Sequence, residues 1–499
     1  MKITILFGLF LCIWTVSSYP DDEFYYGTFP DGFIFSTATA AYQIEGGWNE
    51  GGKGENIWDT FTHKDPSPIE NGDTGDVACD SYHLFKEDVK LLVDVGVKAY
   101  RFSIAWARIL PDGDHNNINM EGVDYYNALI NELLSNNIIP MVTLYHWDLP
   151  QSLENIGGWE NSELVDYFAN YARVLFSLFG DRVKFWITLN EPWCQSVLGH
   201  GTGVNAPGKT GIGSTVYKVS HNLIKAHAAA WHAYNNEFRP TQNGKCGITL
   251  NSDFNYPKNE LDPADVAASE RAIQFFLGWF AHPIYHADGD YPPIMRELID
   301  RKSQEQGLAE SRLPTFTKDE INYIKGSSDF FGLNTYTTHL VENHPNHGNP
   351  NYFDDADAAS SFDPDWEASG SSWLKMVPWG IRGLLNWIKN EYGDHWDIYI
   401  TENGWSDRHG DIEDDRRVYH YRHYINNVLK AVNLDKVNVK AYTAWSVMDN
   451  FEWAKGYVEK FGMHAVNMSD PNRKRTPKAS SRAYAQIIKD HGFPQPTEA

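Results

Sequence analysis

Two glutamates, Glu191 and Glu402, each follow a short apolar run that has the composition of a buried strand. Glu191 lies in the string TLNEP at residues 188–192, and Glu402 lies in the string TENG at residues 401–404. Two carboxyl groups that face each other across a cleft can cleave a glycosidic bond. One donates a proton to the leaving oxygen, while the other meets the positive charge that develops on the sugar carbon. These two side chains can form such a pair only if their strands belong to one sheet or barrel.

The chain contains eight runs of this kind, separated by segments with the spacing of amphipathic helices. The apolar runs are residues 33–38, 99–104, 139–144, 185–189, 246–250, 330–334, 398–401 and 441–445. The helical segments are residues 84–95, 164–179, 381–392, 417–432 and 480–490. Near-continuous apolar runs suit parallel strands that are covered on both faces. Strands and helices that alternate eight times predict an α/β fold, a single (β/α)8 barrel.

In such barrels the active site lies at the carboxyl-terminal ends of the strands. Residues that end or follow the eight runs are therefore expected to converge, namely Gln43, Arg101, His146, Asn190, Glu191, Asn334, Tyr336, Glu402, Trp445, Glu452 and Trp453. This set combines sugar-binding polar groups, an aromatic platform and carboxyl groups. The irregular stretches 254–264 and 343–372 are expected to be loops at one face, and the second is long enough to form part of a site wall.

Composition and charge limit the classes of partner. Aromatic residues make up 14% of the 499-residue chain, which includes 18 Trp. Their flat faces suit stacking on sugar rings, although a large aromatic core would account for them equally well. The formal net charge of −24 disfavours nucleic acids and anionic membrane surfaces as partners, because both require clustered Lys and Arg.

The amino terminus has the features of a secretory signal. Lys2 precedes an apolar stretch at residues 3–16, and the small residues that follow suit a cleavage site. We therefore predict a signal peptide at residues 1–18, one barrel domain at residues 19–499, and a secreted or lumenal protein. No later apolar run is long enough to span a membrane.

Three cysteines remain after the signal, Cys79, Cys194 and Cys246, so at most one intramolecular disulfide can form. Cys194 and Cys246 are expected at opposite ends of the barrel and are not expected to pair. No cluster of Cys and His has metal-ligand spacing, and neither a metal nor a cofactor is expected. Asn467 begins the sequon Asn-Met-Ser, which is compatible with a glycoprotein, although sequons also occur by chance.

Seven strings across the chain together resemble glycoside hydrolase family 1, the β-glucosidase and myrosinase family, and its secreted insect branch in particular. They are FSTATAAYQIEG at 35–46, YRFSIAW at 100–106, LYHWDLP at 144–150, TLNEP at 188–192, NTY at 334–336, YITENG at 399–404 and WSVMDNFEW at 445–453. The resemblance covers essentially the whole chain from residue 29 to the last helical segment. A lone Asn-Glu-Pro would be weak, but seven strings in this order are specific.

By this resemblance, Glu191 is the general acid/base and Glu402 the nucleophile, with Arg101, Tyr336 and Asn334 as catalytic support. Such a cycle forms a covalent glycosyl-enzyme on Glu402 while Glu191 protonates the leaving oxygen. It retains the β configuration and requires carboxyl groups about 5–5.5 Å apart. The alternative role for either glutamate is that of a salt-bridged strand end.

The resemblance also implies a sugar-binding set, which consists of Gln43, His146, Asn190, Trp445, Glu452 and Trp453. Asn190 matches the partner of the 2-hydroxyl, Glu452 that of the 4- and 6-hydroxyls, and Trp445 the stacking floor. His146 taken alone is equally compatible with a structural histidine. A carboxylate at Glu452 would repel a 6-phosphate, which disfavours phosphoglycosides. Trp373 matches an aglycone-wall residue, and Trp147 is a second candidate for that side.

The resemblance therefore implies hydrolysis of small β-glucosides or oligosaccharides, with selectivity among glucosyl, galactosyl and fucosyl groups left open. The first alternative is a myrosinase, which cleaves the thioglycosidic bond of glucosinolates. Plant myrosinases replace the acid glutamate by Gln, so Glu191 favours O-glucosides, but insect myrosinases keep it. Lys375 or Lys455 could then meet the sulfate of the substrate.

The other alternative is a non-catalytic carbohydrate-binding protein on the same fold. Such proteins typically lose one or both carboxyl groups, whereas both Glu191 and Glu402 are present. The sequence leaves open the natural aglycone and whether the protein is a monomer or a homodimer.

Overall fold

A closed barrel of eight parallel strands forms the centre of the computed structural model, which describes residues 23–496. The strands are β1 (Ile34–Ala38), β2 (Ala99–Ser103), β3 (Ile139–Tyr145), β4 (Phe185–Asn190), β5 (Lys245–Asn251), β6 (Phe331–Asn334), β7 (Ile398–Asn403) and β8 (Val439–Trp445). Each strand pairs with the next one along the chain, and β8 pairs with β1 to close the barrel. The predicted (β/α)8 barrel is confirmed, whereas the predicted signal peptide lies outside the described residues.

Helices cover the outside of the barrel. The α-helices of seven residues or more are α1 (Ser81–Val95), α2 (Met120–Ser135), α3 (Leu164–Phe179), α4 (Thr215–Ala233), α5 (Pro263–Ile273), α6 (Trp279–Tyr285), α7 (Pro293–Glu305), α8 (Lys318–Ile324), α9 (Trp379–Tyr392), α10 (Asp415–Asn433) and α11 (Ala479–Asp490). The five predicted helical segments lie within α1, α3, α9, α10 and α11. Four of them begin one to three residues earlier than their apolar spacing indicates, because the ends of a helix depend on backbone hydrogen bonds and not on the apolar stripe alone.

Short α-helical turns and segments of other helix types connect these elements. The α-helical turns are Ala41–Ile44, Ile57–Thr62, Trp106–Ile109, Gln151–Asn155, Arg239–Gln242 and Tyr352–Asp355. Turns of 3-10 type are Glu70–Gly72, Gly158–Glu160 and Trp453–Lys455, and wider π-type turns are Cys194–Thr202, Tyr234–Phe238 and Gln274–Gly278. The turns at residues 41–44, 194–202 and 453–455 follow the ends of β1, β4 and β8, so they border the carboxyl-terminal face.

The interior of the barrel changes character from one end to the other. Apolar side chains from the first residues of the strands form a separate buried cluster, in which the rings of Phe185 and Phe330 stack at 4.4 Å. Nearer the carboxyl-terminal ends, the buried residues are polar, and they include Arg101, Asn190 and Asn334. The apolar end closes the barrel to water, and the polar end provides hydrogen-bonding groups for a ligand.

The two long stretches expected to be irregular loops are only partly so. Phe254–Pro257 and Ala358–Ser361 are strands, and both pair with Thr338–Asn343 in a three-stranded sheet. The prediction of loops is therefore wrong for these segments. Four-residue strands carry too little alternation to be recognised, because their formation depends on a partner far along the chain. Both stretches follow strand ends β5 and β6, and so lie at the expected face.

The two ends of the described chain meet, since Gly27–Thr28 pairs with Gly492–Phe493 in an antiparallel ladder. A second small ladder joins His464–Val466 to Arg475–Pro477. Cys79, Cys194 and Cys246 are all buried and unpaired, as expected for the last two. None of the helices in the described range 23–496 is long and apolar enough to cross a membrane.

Candidate active site

The two strands that carry the glutamates are irregular at their carboxyl-terminal ends. The pairing register shifts between Ile187 and Asn190 on β4 and between Ile400 and Glu402 on β7. Such irregularities turn the following side chains away from the regular alternation of a strand. Glu191, directly after β4, has a φ of 46°, which is left-handed and uncommon for a residue with a side chain. Both carboxyl groups are buried.

Glu402 is held by two strong donors. Arg101 donates from Nη1 to Oε1 of Glu402 at 2.6 Å, and the Tyr336 hydroxyl donates to Oε2 at 2.8 Å. Burial raises the pKa of Glu402 above its usual value, while the charge of Arg101 and the hydrogen bonds from Tyr336 and Arg101 act in the opposite direction. An adjacent guanidinium stabilises the ionised form specifically. We therefore expect Glu402 to be the first of the two glutamates to ionise.

Glu191 has weaker donors. Asn334 donates from Nδ2 to Oε1 at 2.6 Å, and the Cys194 thiol donates to Oε2 at 3.0 Å. Burial and the negative charge of Glu402 raise the pKa of Glu191 to about 8. At neutral pH this environment favours a protonated Glu191 beside an ionised Glu402, which is the division that an acid and a nucleophile require.

Two asparagines link the glutamates into one network. Asn190 accepts at Oδ1 from Arg101 Nη2 at 2.5 Å and from Asn334 Nδ2 at 3.0 Å. The Thr401 hydroxyl donates to Asn334 Oδ1 at 2.7 Å, which fixes the orientation of that amide. Asn334 pairs with Glu402 across β6 and β7. The network therefore holds both carboxyl groups with parts that come from β2, β4, β6 and β7.

Two of the predicted sugar-binding residues carry buried polar atoms without a partner. Gln43 donates from Nε2 to the carbonyl of Phe451 at 2.7 Å and to Glu452 Oε2 at 3.3 Å, but its Oε1 accepts nothing. His146 Nε2 accepts from Asn190 Nδ2 at 3.0 Å, which leaves the Nδ1 proton unpaired. Burial and the Arg101 charge lower the pKa of His146, so its ring is neutral. An unpaired buried polar group costs about 1–3 kcal/mol, which a ligand hydroxyl would recover.

The aromatic residues of the predicted site form one wall. The Trp453 ring lies 4.6 Å from Trp147 and 5.8 Å from His146, and the Trp445 ring lies 6.0 Å from His146. Trp147 also donates from Nε1 to the carbonyl of Asn190 at 2.8 Å. Trp147 thus contacts His146, Asn190 and Trp453, three of the predicted sugar-binding residues.

Trp373, the other predicted aglycone residue, stands at the rim. It is 43% exposed, and its ring meets Tyr336 edge-on at 5.5 Å and lies 6.4 Å from Phe461. Its contact with Tyr336, a donor to Glu402, places it next to the centre of the network, while its open face is free to contact a leaving group. A half-exposed Trp presents apolar surface to a ligand at low entropic cost.

The structure adds three residues that the sequence did not assign to the site. Cys194 donates to Glu191, as described above. Asp253 accepts at Oδ1 from the backbone N–H groups of Tyr336 and Thr337, at 3.1 and 3.0 Å. Glu459 accepts from the Ser371 hydroxyl at 2.5 Å, and its charge helps burial to raise the pKa of Glu452. Asp253 and Glu459 act on partners from distant segments, which no local string marks. Cys194 lies only three residues after Glu191, and the turn Cys194–Thr202 that follows β4 brings its thiol to the carboxyl group.

Comparison with known proteins adds an independent finding. The sequence pattern described as Glycosyl hydrolase family 1 matches residues 25–493. Lactase/phlorizin hydrolase of Homo sapiens is 53% identical over 488 residues, which cover 95% of this chain and 25% of that protein. The chain therefore spans about a quarter of the length of the first curated relatives it matches.

Solved structures agree in fold and sequence. An aphid myrosinase superposes with a TM-score of 0.89 at 47% identity, over 93% of this chain and 99% of the other. A rice β-glucosidase mutant in a covalent complex with Glc superposes with a TM-score of 0.86 at 41% identity, over 92% of this chain and 98% of the other. The likeness extends over nearly the whole barrel.

Proposed function

We propose that this chain, which belongs to glycosyl hydrolase family 1 and is a glycoside hydrolase, removes terminal β-D-glucosyl groups with retention of configuration. The observation that carries the proposal is the unequal environment of two buried glutamates. Glu402 has a guanidinium and a phenol as donors, whereas Glu191 has an amide and a thiol. One carboxyl group is thus prepared to be ionised and the other to hold a proton.

In the first step, a carboxylate oxygen of Glu402 attacks the anomeric carbon. The bond from that carbon to the glycosidic oxygen breaks, and the proton of Glu191 passes to the departing oxygen. Glu191 can supply this proton at neutral pH because burial and the charge of Glu402 raise its pKa to about 8. The product of the step is a glucosyl ester of Glu402 and a free alcohol.

In the second step, Glu191 acts as the base. Esterification removes the negative charge of Glu402, so one cause of the raised pKa of Glu191 is gone. The ionised Glu191 takes a proton from water, the water oxygen attacks the anomeric carbon, and the ester bond to Glu402 breaks. Two inversions restore the β configuration, and both carboxyl groups return to their starting states.

The unpaired atoms of the sugar-binding set support a hexose as the group that is transferred. Gln43 Oε1 can accept from a hydroxyl, and His146 Nδ1 can donate to one. Glu452 adds a carboxyl group. Burial and the charge of Glu459 raise the pKa of this group. Two carboxyl groups on this side favour a neutral sugar over a phosphorylated one. Glucosyl, galactosyl and fucosyl groups all meet this requirement.

The test of retention follows the configuration of the product. With nitrophenyl β-D-glucoside as substrate, proton NMR is expected to detect the β-anomer of glucose first, before mutarotation. Glu402→Gln should lower kcat/KM by about 10⁴-fold or more. Glu413→Gln, which removes an exposed carboxylate paired with Arg482, should leave kcat/KM unchanged. Release of the α-anomer first, or wild-type turnover by Glu402→Gln, would contradict the proposal.

The similarity to an aphid myrosinase supports a second candidate, hydrolysis of glucosinolates. Such a substrate carries a sulfate near its leaving group. Lys455 is paired with Glu70 at 3.2 Å. Lys375, two residues after Trp373, lies over the Phe362 ring at 5.6 Å.

Kinetics with two substrates distinguish the candidates, because specificity is a ratio of kcat/KM values. A glucosinolate enzyme should cleave sinigrin, and Lys375→Met should lower kcat/KM for sinigrin while leaving the value for an aryl glucoside unchanged. Inactivity of the wild-type protein on sinigrin would eliminate this candidate and leave the O-glucosidase proposal in place.

A further inference from the structure

Three side chains with metal-binding chemistry lie together at the end of helix α6. They are His282 within the helix, His286 directly after it, and Asp288 two residues further on. One ligand atom from each lies within 4.8 Å of the others. His282 and His286 are four residues apart, a spacing that places two imidazoles on one side of a helical turn, although no pair of cysteines accompanies them.

His282 is already arranged as a ligand. Its ring contacts the backbone carbonyl of Asp290 through Nδ1 at 2.7 Å. A carbonyl only accepts, so Nδ1 carries the proton and Nε2 carries the lone pair. Metal-bound histidines usually make this contact, which fixes the tautomer and the ring orientation.

His286 and Asp288 lie on the side of the group that faces solvent. The His286 ring lies 3.9 Å from the His282 ring at an angle of 23°. Its Nδ1 accepts from the backbone N–H of Asp288 at 3.2 Å and lies 3.4 Å from Asp288 Oδ2. The side chains are 30% and 65% exposed, so an ion can enter from solvent and water can fill a remaining position.

The group lies on the side of the barrel opposite the two glutamates. The carbonyl of Ile284 accepts from the N–H of Gly326, and the Tyr285 hydroxyl donates to the carbonyl of Phe330 at 2.8 Å. Phe330 directly precedes β6, so these contacts fix the end of α6 at the amino-terminal end of that strand. Glu191 and Glu402 lie at the carboxyl-terminal ends, and the group is therefore separate from the candidate active site.

We propose that His282, His286 and Asp288 bind a divalent ion of the Zn²⁺ class. Two imidazoles and one carboxylate are a ligand set that Zn²⁺ and neighbouring first-row ions accept, whereas Mg²⁺ and Ca²⁺ prefer oxygen ligands alone. Three protein ligands leave room for water in a tetrahedral shell. The ion joins the end of α6 to the loop that follows it, so its role is to stabilise the fold rather than to take part in hydrolysis.

The test titrates the chelator-treated full-length protein with zinc chloride in a non-coordinating buffer at about pH 7.5, where neutral imidazole predominates. Calorimetry should find one equivalent bound, and the melting temperature should rise with zinc concentration because the ion binds the folded state. Cobalt(II) should give the visible absorption of a four-coordinate site. His286→Ala and Asp288→Asn should each lower the zinc affinity by at least about tenfold.

His115→Ala is the matched control, because His115 is another exposed histidine beside an aspartate, Asp114, and lies outside the group. It should bind zinc as the wild-type protein does. Hydrolysis of an aryl glucoside should be the same in all these variants. Absence of one-equivalent binding up to about 1 mM zinc, or wild-type affinity in His286→Ala, would overturn the proposal.

Discussion

At the scale of single residues, the neighbours of Glu191 and Glu402 differ more than the two side chains themselves. Arg101 stabilises negative charge on Glu402, whereas nothing as strong as a guanidinium donates to Glu191 in the described network. The salt-bridged role weighed from the sequence fits Glu402 in part, since Glu402 does pair with Arg101. It does not account for a second buried carboxyl group whose pKa is raised to about 8.

Replacing Glu191 by Gln tests its role through the leaving group. Glu191→Gln removes the acid but keeps a similar shape, so Glu402 can still attack. We expect kcat/KM for an alkyl glucoside, whose leaving group needs a proton, to fall by about 10²–10⁴-fold. The first step with a dinitrophenyl glucoside, whose leaving group needs none, should be nearly unaffected in stopped-flow measurements. Equal loss on both substrates would argue against an acid role.

Cys194 offers a test of how the proton on Glu191 is controlled. Its thiol hydrogen bond lowers the pKa of Glu191, against the larger effects of burial and Glu402. Cys194→Ala removes this stabilisation of the carboxylate, so the pKa of Glu191 should rise further. The active form carries the proton, and the alkaline limb of kcat/KM should therefore move to higher pH, by about half a unit to one unit.

Cys194→Ser should move the same limb less, or to lower pH, because a hydroxyl is a better donor than a thiol. Cys246→Ala, which removes another buried thiol from β5, is the matched control and should leave the pH profile unchanged. The measurement is kcat/KM across the pH range for which each variant remains folded. A profile of Cys194→Ala identical to that of the wild type would show that the thiol does not set this pKa.

At the scale of elements, the site depends on segments that depart from regular structure. Three predicted site residues adopt left-handed backbone, Trp147 with φ 78°, Glu191 with φ 46° and Trp453 with φ 48°. Residues with side chains adopt this conformation at a cost of about 1–2 kcal/mol each. The surrounding contacts, such as the hydrogen bond from Trp147 to Asn190, hold these conformations. The left-handed backbone at these residues lowers local stability, but it directs their side chains into the site.

Asp253 holds the segment that carries Tyr336, because it accepts hydrogen bonds from the backbone N–H groups of Tyr336 and Thr337. Burial acts to raise the pKa of Asp253, but hydrogen bonds from His339, Thr337 and Tyr336 lower it below its usual value. Asp253→Ala should release the backbone of Tyr336 and lower kcat by about 10–100-fold, with a smaller change in KM. In combination with Tyr336→Phe, the losses should not add, because both changes act on Glu402.

Asp265→Ala is the matched control for this prediction. Asp265 also accepts a backbone N–H, that of Asn343 at 2.9 Å, near the same small sheet but away from Tyr336. Its loss should leave kcat unchanged. Full additivity of Asp253→Ala with Tyr336→Phe in a double-mutant cycle would show that Asp253 does not act through Tyr336.

At the scale of the whole molecule, the two ends of the barrel interior differ in polarity. The cluster around Phe185 and Phe330 closes the amino-terminal end, and the polar network around Asn190 and Asn334 occupies the other end. The chain also spans only about a quarter of the length of the first curated relatives that it matches. The sequence predicts a signal peptide at residues 1–18 and a secreted or lumenal protein.

Expression in a eukaryotic secretory host tests that prediction. We expect the secreted protein to begin near residue 19 and to carry a glycan at Asn467, which is exposed next to the strand His464–Val466. Mass spectrometry before and after peptide N-glycosidase should detect both changes, and Asn467→Gln should abolish the glycan shift. Retention of residues 1–18 in protein recovered from the medium would contradict the signal prediction.

The sequence by itself determined the architecture and the identity of the candidate site residues. Buried parallel strands require near-continuous apolar runs, so the positions of these runs along the sequence were enough to predict all eight strands. Their order along the chain, together with the rule that sites form at the carboxyl-terminal ends, predicted which residues would meet. Arg101, Asn190, Asn334 and Tyr336 do meet the glutamates there.

Only the tertiary structure decided how those residues act on one another. The acceptor Asp253 and the small sheet that contains Phe254–Pro257 depend on partners that are distant in sequence. The thiol donor Cys194 and the group at His282 depend on the fold of the turn or loop that follows a regular element. Electrostatic effects depend on distance and burial, which no local string encodes. The pair Glu191 and Glu402 was visible in the sequence, but the difference between them arises from the folded surroundings.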